Sequence, residues 1–593
     1  LRGDKLRQQP STASTPSWQG VDAVFCAAVL LLAVLVLAKD ISNGGFRFGD
    51  ASAHAMDGVL IHDWVSAGPQ AWLSPMEFAA RQYAHYPTLG MGRHYPPGYA
   101  IVEAGFFALL GVSVFAARCC VVFFGLIAAA GAYAFTRFWA DRLTAFMAAI
   151  IFTTMPATTT WGRQNMLEVP TMAVMIWAAV ALVWYLRQPT NKRLACVAAV
   201  AVLAVLFKQP AVFLIGAVAI VILLAALRGR CPRGHALAIV VIAAVVGVAT
   251  ILSLDGHGRQ LLSGDKTCPS RFGLESLTFY AKRLPQQVSV PYLLAAVMGG
   301  VLSWRRPNGG TRSRDPDQRP EHKRRLVGPR IGAWVSGRRR AFGRGYTERV
   351  WLLLIAWLVA GYVMLTLADY KNPRFLYFAL FPLAVWAAVA VVAVLSQIRL
   401  AGIRVVAAGA VAGGCVAVGM AAPVEHRPDY GPVVLAQREL IEGNVILFSG
   451  LRDGDFVFAV RQNIPKWRTI VVRGSKLLYT CNARPDLEFA SRVSTERDVA
   501  ELLDRYAFQH IFVQRENKLK LVEDDLLRDH LAEGDAYQRV AVHELRADPD
   551  PGRWDVTIDV YQASRLQARA VEYFDIPIPR AHRSVRVDLR GWE

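Results

Sequence analysis

Apolar runs of near membrane-spanning length alternate with short polar stretches over the first 421 residues, and the alternation stops there. An apolar run of ~20 residues with few charges is long enough to cross the hydrocarbon core. By that measure the chain predicts about eleven spans, over residues 21–38, 113–136, 143–160, 169–186, 194–207, 209–227, 236–254, 288–303, 350–367, 374–396 and 402–421. Lys208-Gln209-Pro210 divides what would otherwise be one long helix, because proline ends helices and an unpaired lysine is costly in lipid. Val21–Ala38 follows a basic tail and lacks a small-residue cleavage site, so it reads as a retained span rather than a signal peptide. Gly98–Gly111 is apolar but too short to cross, and reads as a helix lying on the outer membrane surface.

From about Glu425 the period changes. Strand-like runs at Asn444–Phe448, Phe456–Val460, Thr469–Val472 and Ile511–Val513 alternate with a helical pattern at Ser494–Tyr506. Ser494-Thr495-Glu496-Arg497-Asp498 supplies a capping signal ahead of Val499, Leu502 and Leu503. Strand–helix alternation predicts a small α/β domain. The expected fold is therefore mostly α: a polytopic membrane helix bundle followed by an extracytoplasmic α/β domain. The expected divisions are an N-terminal tail (1–20), a membrane domain (21–421) and a C-terminal domain (422–593). Within the membrane domain a long outer loop covers 39–112 and a basic loop covers 304–349. No internal repeat is visible.

Charge orients this plan. Of the 593 residues 54% are hydrophobic and 19% charged, against about 25% charged in soluble proteins. The formal net charge of +20 could suggest nucleic acid, but the basic residues lie in short loops between spans, where they report orientation. With the N-terminus cytoplasmic, the loops Arg137–Arg142, Arg187–Arg193, Arg228–Arg233, Trp304–Arg349 and Arg399–Arg404 all fall inside, and all are basic. Counting Gly98–Gly111 as a span would put the 304–349 loop outside, so the charge rule rejects it. The expected location is the inner (plasma) membrane with the C-terminal domain outside. Membrane lipids are partners and nucleic acid is not. The eight cysteines form no C-x-x-C pair, which argues against a zinc site or a disulfide framework; Cys268 and Cys481 both fall outside, leaving one pairing open.

Three chain-distant segments bring acids and bases to the outer face. They are Phe48-Gly49-Asp50 with His54 and Asp57, then His94-Tyr95-Pro96-Pro97-Gly98-Tyr99, then Arg163-Gln164-Asn165-Met166-Leu167-Glu168. A carboxylate to take a proton and cations to hold phosphate are what attack on a charged lipid substrate needs. Each residue also has a plainer reading. Asp57 and His54 fit structural or packing roles, Glu168 can interact with a helix N-terminus, Lys208 can snorkel, and Arg374 can anchor at the interface. Arg118 reads as a surface-stabilising residue. Two acidic segments could hold a divalent ion, but no ligand set is specific enough to predict one, and no cofactor is expected.

The order of these segments resembles a known family. After the acidic loop and Tyr95-Pro96-Pro97-Gly98-Tyr99 come Gly111-Val112-Ser113-Val114-Phe115-Ala116-Ala117-Arg118, Glu168-Val169-Pro170, Phe207-Lys208-Gln209-Pro210 and Asn372-Pro373-Arg374-Phe375-Leu376-Tyr377. Over residues 20–400 the chain resembles the glycosyltransferase-C superfamily, in the branch of the protein O-mannosyltransferases and the aminoarabinose lipid A transferases. The resemblance implies transfer of a sugar from a polyprenyl-phosphate carrier to a protein, lipid or glycan acceptor at the outer face, by inverting displacement. It implies Asp50 as general base and Glu168 as a second acidic position. Glu168 stands where the family usually has Asp, and Phe207-Lys208-Gln209 keeps the lysine but loses the glycine of a Thr-Lys-Gly segment. His94, Tyr95, Arg163, Lys208 and Arg374 are the expected substrate-binding residues. The competing reading is a transporter or flippase of lipid-linked intermediates, which would favour ionisable groups buried mid-span and an inverted repeat.

Overall fold

The computed structural model describes residues 20–86, 95–253, 273–304, 344–368, 371–424, 427–480, 489–516, 520–546, 555–565, 573–578 and 583–588. His94, Cys268, Cys481 and most of the 304–349 loop lie outside these residues.

Among the described residues seven helices are long and apolar enough to cross a membrane: Gly20–Leu37, Val114–Arg137, Glu168–Arg187, Gln209–Leu227, Arg233–Leu252, Thr347–Leu367 and Ala401–Ala421. Two further spans are bent pairs, Arg142–Thr154 with Pro156–Gly162 (61°) and Pro373–Ala379 with Phe381–Leu395 (58°). Proline near the start of each following helix explains the breaks, since it has no N–H to continue the preceding ladder. The other two expected spans coincide with Asn191–Phe207 and Val290–Trp304, helices of 17 and 15 residues, shorter than the ~20 needed to cross at right angles. The helices pack on Glu168–Arg187 and Phe381–Leu395, whose small alanines allow close approach. At the basic ends of the spans Asp22, fully buried, accepts from Arg137 Nε (2.7 Å), Arg142 Nε (3.1 Å) and Tyr133 Oη (3.1 Å). These bonds satisfy a carboxylate that would otherwise be costly to bury.

The segment expected as the outer loop is not irregular. It folds into helices Gly49–Ser66, Pro69–Leu73, Pro75–His85 and Gly98–Leu110. The last is the short apolar helix expected at that place. Its packing needs Gly98: a Cβ there would lie 2.6 Å from the Leu206 carbonyl oxygen and 2.9 Å from the Phe207 ring. The segment expected as an outer loop before Val288 carries an amphipathic helix, Leu274–Val288.

The described residues of the C-terminal domain form nine strands: β1 (Val445–Ser449), β2 (Ile470–Arg473), β3 (Tyr479–Thr480), β4 (Ala490–Ser491), β5 (His510–Gln514), β6 (Tyr537–Leu545), β7 (Val556–Ala563), β8 (Tyr573–Ile578) and β9 (Arg583–Asp588). Five form one sheet in the order β2-β1-β5-β7-β6, with β2, β1 and β5 parallel and β7 and β6 antiparallel. The predicted capping box is present at Thr495 and Asp498 of helix Glu496–Tyr506. Phe456–Val460 is a correction: it lies in a helix, Asp453–Asn463, not a strand. This helix is buried on two sides, and an apolar run buried all round has no period to distinguish helix from strand. Phe456 stacks on Phe448 of β1 at 4.1 Å, while Phe458 meets Phe46, just ahead of helix Gly49–Ser66, at 5.1 Å.

Candidate active site

Four breaks in helical structure converge at one end of the bundle, and each presents one charged side chain. Asp50 stands in the first turn of Gly49–Ser66, and Glu168 is the first residue of Glu168–Arg187. Both carboxylates thus sit at helix N-termini, where negative charge is favoured. Lys208 is the extended residue (φ −159°, ψ 130°) between Asn191–Phe207 and the 3₁₀ turn Gln209–Ala211, held out of the helix by Pro210. Arg374 opens the 3₁₀ turn Pro373–Ala379, where the Asn372 side chain accepts from its backbone N–H at 3.1 Å.

The four charges pair across the chain. Lys208 Nζ donates to Glu168 Oε1 at 2.6 Å, Arg374 Nη1 donates to Asp50 Oδ2 at 2.5 Å, and Arg374 Nε lies 3.8 Å from Glu168 Oε1. Arg374 therefore bridges the two acids. Exposure separates them: the Glu168 side chain is 0% and Lys208 1% exposed, Arg374 14%, but Asp50 47%. The only acid of the cluster that an incoming molecule can reach is Asp50. Burial acts to raise the Asp50 pKa, but Arg374, His54 and Lys208 outweigh it and hold the carboxyl below its ordinary value. Asp50 is an ionised carboxylate at neutral pH, able to accept a proton.

Aromatic faces line the cations. Lys208 Nζ lies over the rings of Tyr95 (5.5 Å), Phe378 (5.6 Å) and Phe375 (5.9 Å), and Arg374 lies over Phe375 (5.3 Å). Such faces stabilise a desolvated cation. One turn beyond Asp50, His54 packs edge-on against Tyr95 at 4.9 Å. Burial pushes its pKa down to about 4, so the imidazole is neutral. Its Nε2, Glu168 Oε2 and Arg374 Nε are buried without a hydrogen-bond partner, leaving unused hydrogen-bonding capacity around the cluster.

The structure brings together Asp50, Glu168, Lys208, Arg374 and Tyr95 of the residues expected from sequence. Arg163 is a correction: its guanidinium donates to the carbonyls of Val36 (2.9 Å), Gly419 (2.7 Å) and Ala422 (2.9 Å). It closes helix ends whose carbonyls have no partner of their own, and Nε, Nη1 and Nη2 are all engaged there. Arg118 does similar work, donating to the carbonyls of Ile41, Asn43 and Gly45. His94 falls outside the described residues. Sequence reading set His54 aside, although its i+4 spacing from Asp50 places both on one helix face. It missed Asn165, whose amide ties Tyr99 to the Ala51 carbonyl behind Asp50; nothing local in the sequence signals that link. Among the described residues no three His, Cys, Asp or Glu side chains converge as a metal-ligand set.

Comparison with known proteins gives a consistent picture of the fold. A family model described as dolichyl-phosphate-mannose-protein mannosyltransferase matches residues 94–253. No curated protein matches the chain in sequence. Among solved structures, ArnT from Cupriavidus metallidurans bound to undecaprenyl phosphate aligns with 93% of this chain and 99% of its own, at a TM-score of 0.52 and 14% identity. The same protein in the apo state aligns with 91% and 98%, at 0.54 and 13%. Both alignments extend over the membrane bundle and the C-terminal α/β region.

Proposed function

Taking as premise that this chain is a membrane protein of the glycosyltransferase-C fold, we propose that it transfers a sugar from a polyprenyl-phosphate carrier to an acceptor hydroxyl. The observation that carries the reading is the paired cluster of Asp50, Arg374, Glu168 and Lys208, with one reachable carboxylate beside two cations. In the proposed step the acceptor oxygen attacks the anomeric carbon and its proton passes to Asp50. The bond from that carbon to the phosphate oxygen breaks with inversion, and the electron pair leaves on the phosphate. Lys208 and Arg374 stabilise the charge that returns to the phosphate, lysine as a point charge and arginine through its fork. Glu168 keeps Lys208 in place. Tyr95 and the phenylalanines exclude water from the cations, which strengthens their hold on an anion.

The family description and the lipid held by ArnT support a lipid-linked donor, with mannose as the first sugar to try. A transporter would place its ionisable groups near the bilayer midplane, whereas Glu168 and Lys208 stand at the ends of helices of 20 and 17 residues. The loop charges support the outer face as the side of reaction. Asp50→Asn tests the reading. Transfer from undecaprenyl-phosphate-mannose to the host envelope fraction should fall to background while expression and membrane insertion persist. Unchanged transfer in that variant would refute Asp50 as base.

A further inference from the structure

The proposed chemistry leaves the C-terminal domain without a task, and its contacts with the outer loop supply one. The turn and helix that follow β1 meet helix Gly49–Ser66 at both ends. Before its N-terminus, Arg452 donates through Nη2 to the Arg47 carbonyl (2.5 Å) and through Nη1 to the Phe46 carbonyl (3.4 Å). Phe458 packs edge-on against Phe46 at the same place. Near its C-terminus, Arg461 grips Asp63 with two bonds, Nη2 to Oδ1 at 2.6 Å and Nε to Oδ2 at 3.1 Å. Asp63 is 1% and Arg461 10% exposed, so this fork is not an interaction screened by solvent. Both arginines belong to one segment of eleven to twelve residues, helix Asp453–Asn463 and its N-cap.

We infer that Arg452 and Arg461 are positioning residues, through which the C-terminal domain holds the helix of Asp50 at both ends and fixes where its carboxylate stands. The inference rests on the reading of Asp50 as base. Asp50 and Asp63 are thirteen residues apart, about 20 Å along the axis at ~1.5 Å per residue. A helix free at Asp63 can swing about its N-terminal anchors and turn the Asp50 carboxylate out of line, and a misplacement of about 1 Å can reduce turnover by roughly 100-fold. On the membrane side this helix packs against Gly98–Leu110, with Glu103 lying against Gly58, and its polar anchors to the bundle lie in its N-terminal half. The Asn165 amide holds the Ala51 carbonyl and Gln164 Oε1 accepts from the Arg47 backbone N–H, both near Asp50. The far end is held from the C-terminal domain.

The test compares full-length Arg461→Met and Arg461→Lys with wild type and Asp50→Asn in proteoliposomes. It reads initial rates of mannose transfer from undecaprenyl-phosphate-mannose to the envelope fraction, and binding of undecaprenyl phosphate. Arg461→Met should lower kcat by roughly 10- to 100-fold with KM for the donor and binding of undecaprenyl phosphate unchanged. Arg461→Lys, which keeps the charge but loses the fork, should recover part of the rate. A fully active Arg461→Met overturns the inference, as does a loss that appears equally in lipid binding. An active Asp50→Asn removes the base itself; an inactive Asp50→Asn beside a fully active Arg461→Met removes only the clamp.

Discussion

Replacing Lys208 by Met separates what the buried pair does for the fold from what it does for the reaction. Lys208 and Glu168 are 1% and 0% exposed and meet at 2.6 Å. Removing one partner of such a pair leaves a desolvated charge, which costs about 3–5 kcal/mol. That is a large share of a total stability on the order of 5–15 kcal/mol. Arg374 Nε, 3.8 Å from the same carboxylate oxygen, recovers some of the loss, so the lower end of the range is expected. Replacing both residues, as Lys208→Met with Glu168→Leu, removes the orphaned charge, and apolar replacements of whole buried pairs are often neutral. The single variant should therefore melt well below wild type in detergent, and the double variant should recover most of that difference. Neither should transfer sugar, because both lack the lysine whose charge acts on the phosphate. Thermal unfolding by size-exclusion stability and the transfer assay read the two quantities separately. A single variant as stable as wild type would refute the buried pairing, and a double variant with near wild-type transfer would refute the catalytic use of Lys208.

Two further predictions concern the C-terminal domain and the orientation. Burial pushes the Asp455 carboxyl up to about 6, above its unfolded value of about 3.9. A raised value makes stability greatest below the unfolded pKa and lowers it as pH rises through about 6, by roughly 3 kcal/mol in all. Asp455→Asn should thus melt higher than wild type at neutral pH and equally at about pH 4; the same difference at both would contradict the buried carboxyl. A phosphatase fused after residue 593 should be active outside the cytoplasm and one inserted near residue 325 inactive. The reverse pattern would put the cluster on the inner face.

The spans were legible because lipid imposes one rule on every residue of a run, so composition over a window suffices. Asp50, Glu168, Lys208 and Arg374 were legible for a related reason. Glu168, Lys208 and Arg374 each interrupt or begin an apolar helix, with Pro170, Pro210 and Pro373 marking the places in the sequence itself, and Asp50 follows the first span in a polar segment. Their pairing was not legible, since Arg374 lies 324 residues from Asp50 and only the folded bundle joins them. Arg163 stood in the right motif but on a turn that directs it toward the carbonyls at the ends of two other helices, a choice made by packing. Phe456–Val460 failed because a segment buried on two sides has no polar face to display its period. The clamp residues Arg452 and Arg461 carried no local signal, being ordinary basic residues until a domain distant in the chain meets them.

Helix length also acts as a ruler for the cluster. Asn191–Phe207 has 17 residues and Glu168–Arg187 has 20, or about 26 and 30 Å at ~1.5 Å per residue. Both begin or end in the basic segment around Arg187–Arg193, so they raise Lys208 and Glu168 to nearly the same height above it. The 20-residue helix matches the ~30 Å thickness of the hydrocarbon core and the 17-residue one falls a few ångströms short, which puts the pair near the level where the phosphate of a bilayer lipid resides. A carrier lipid would meet its two cations without lifting its tail from the membrane. The concentration that matters to such a site is the lipid's density in the plane, and the thickness of the bilayer becomes one of the site's dimensions.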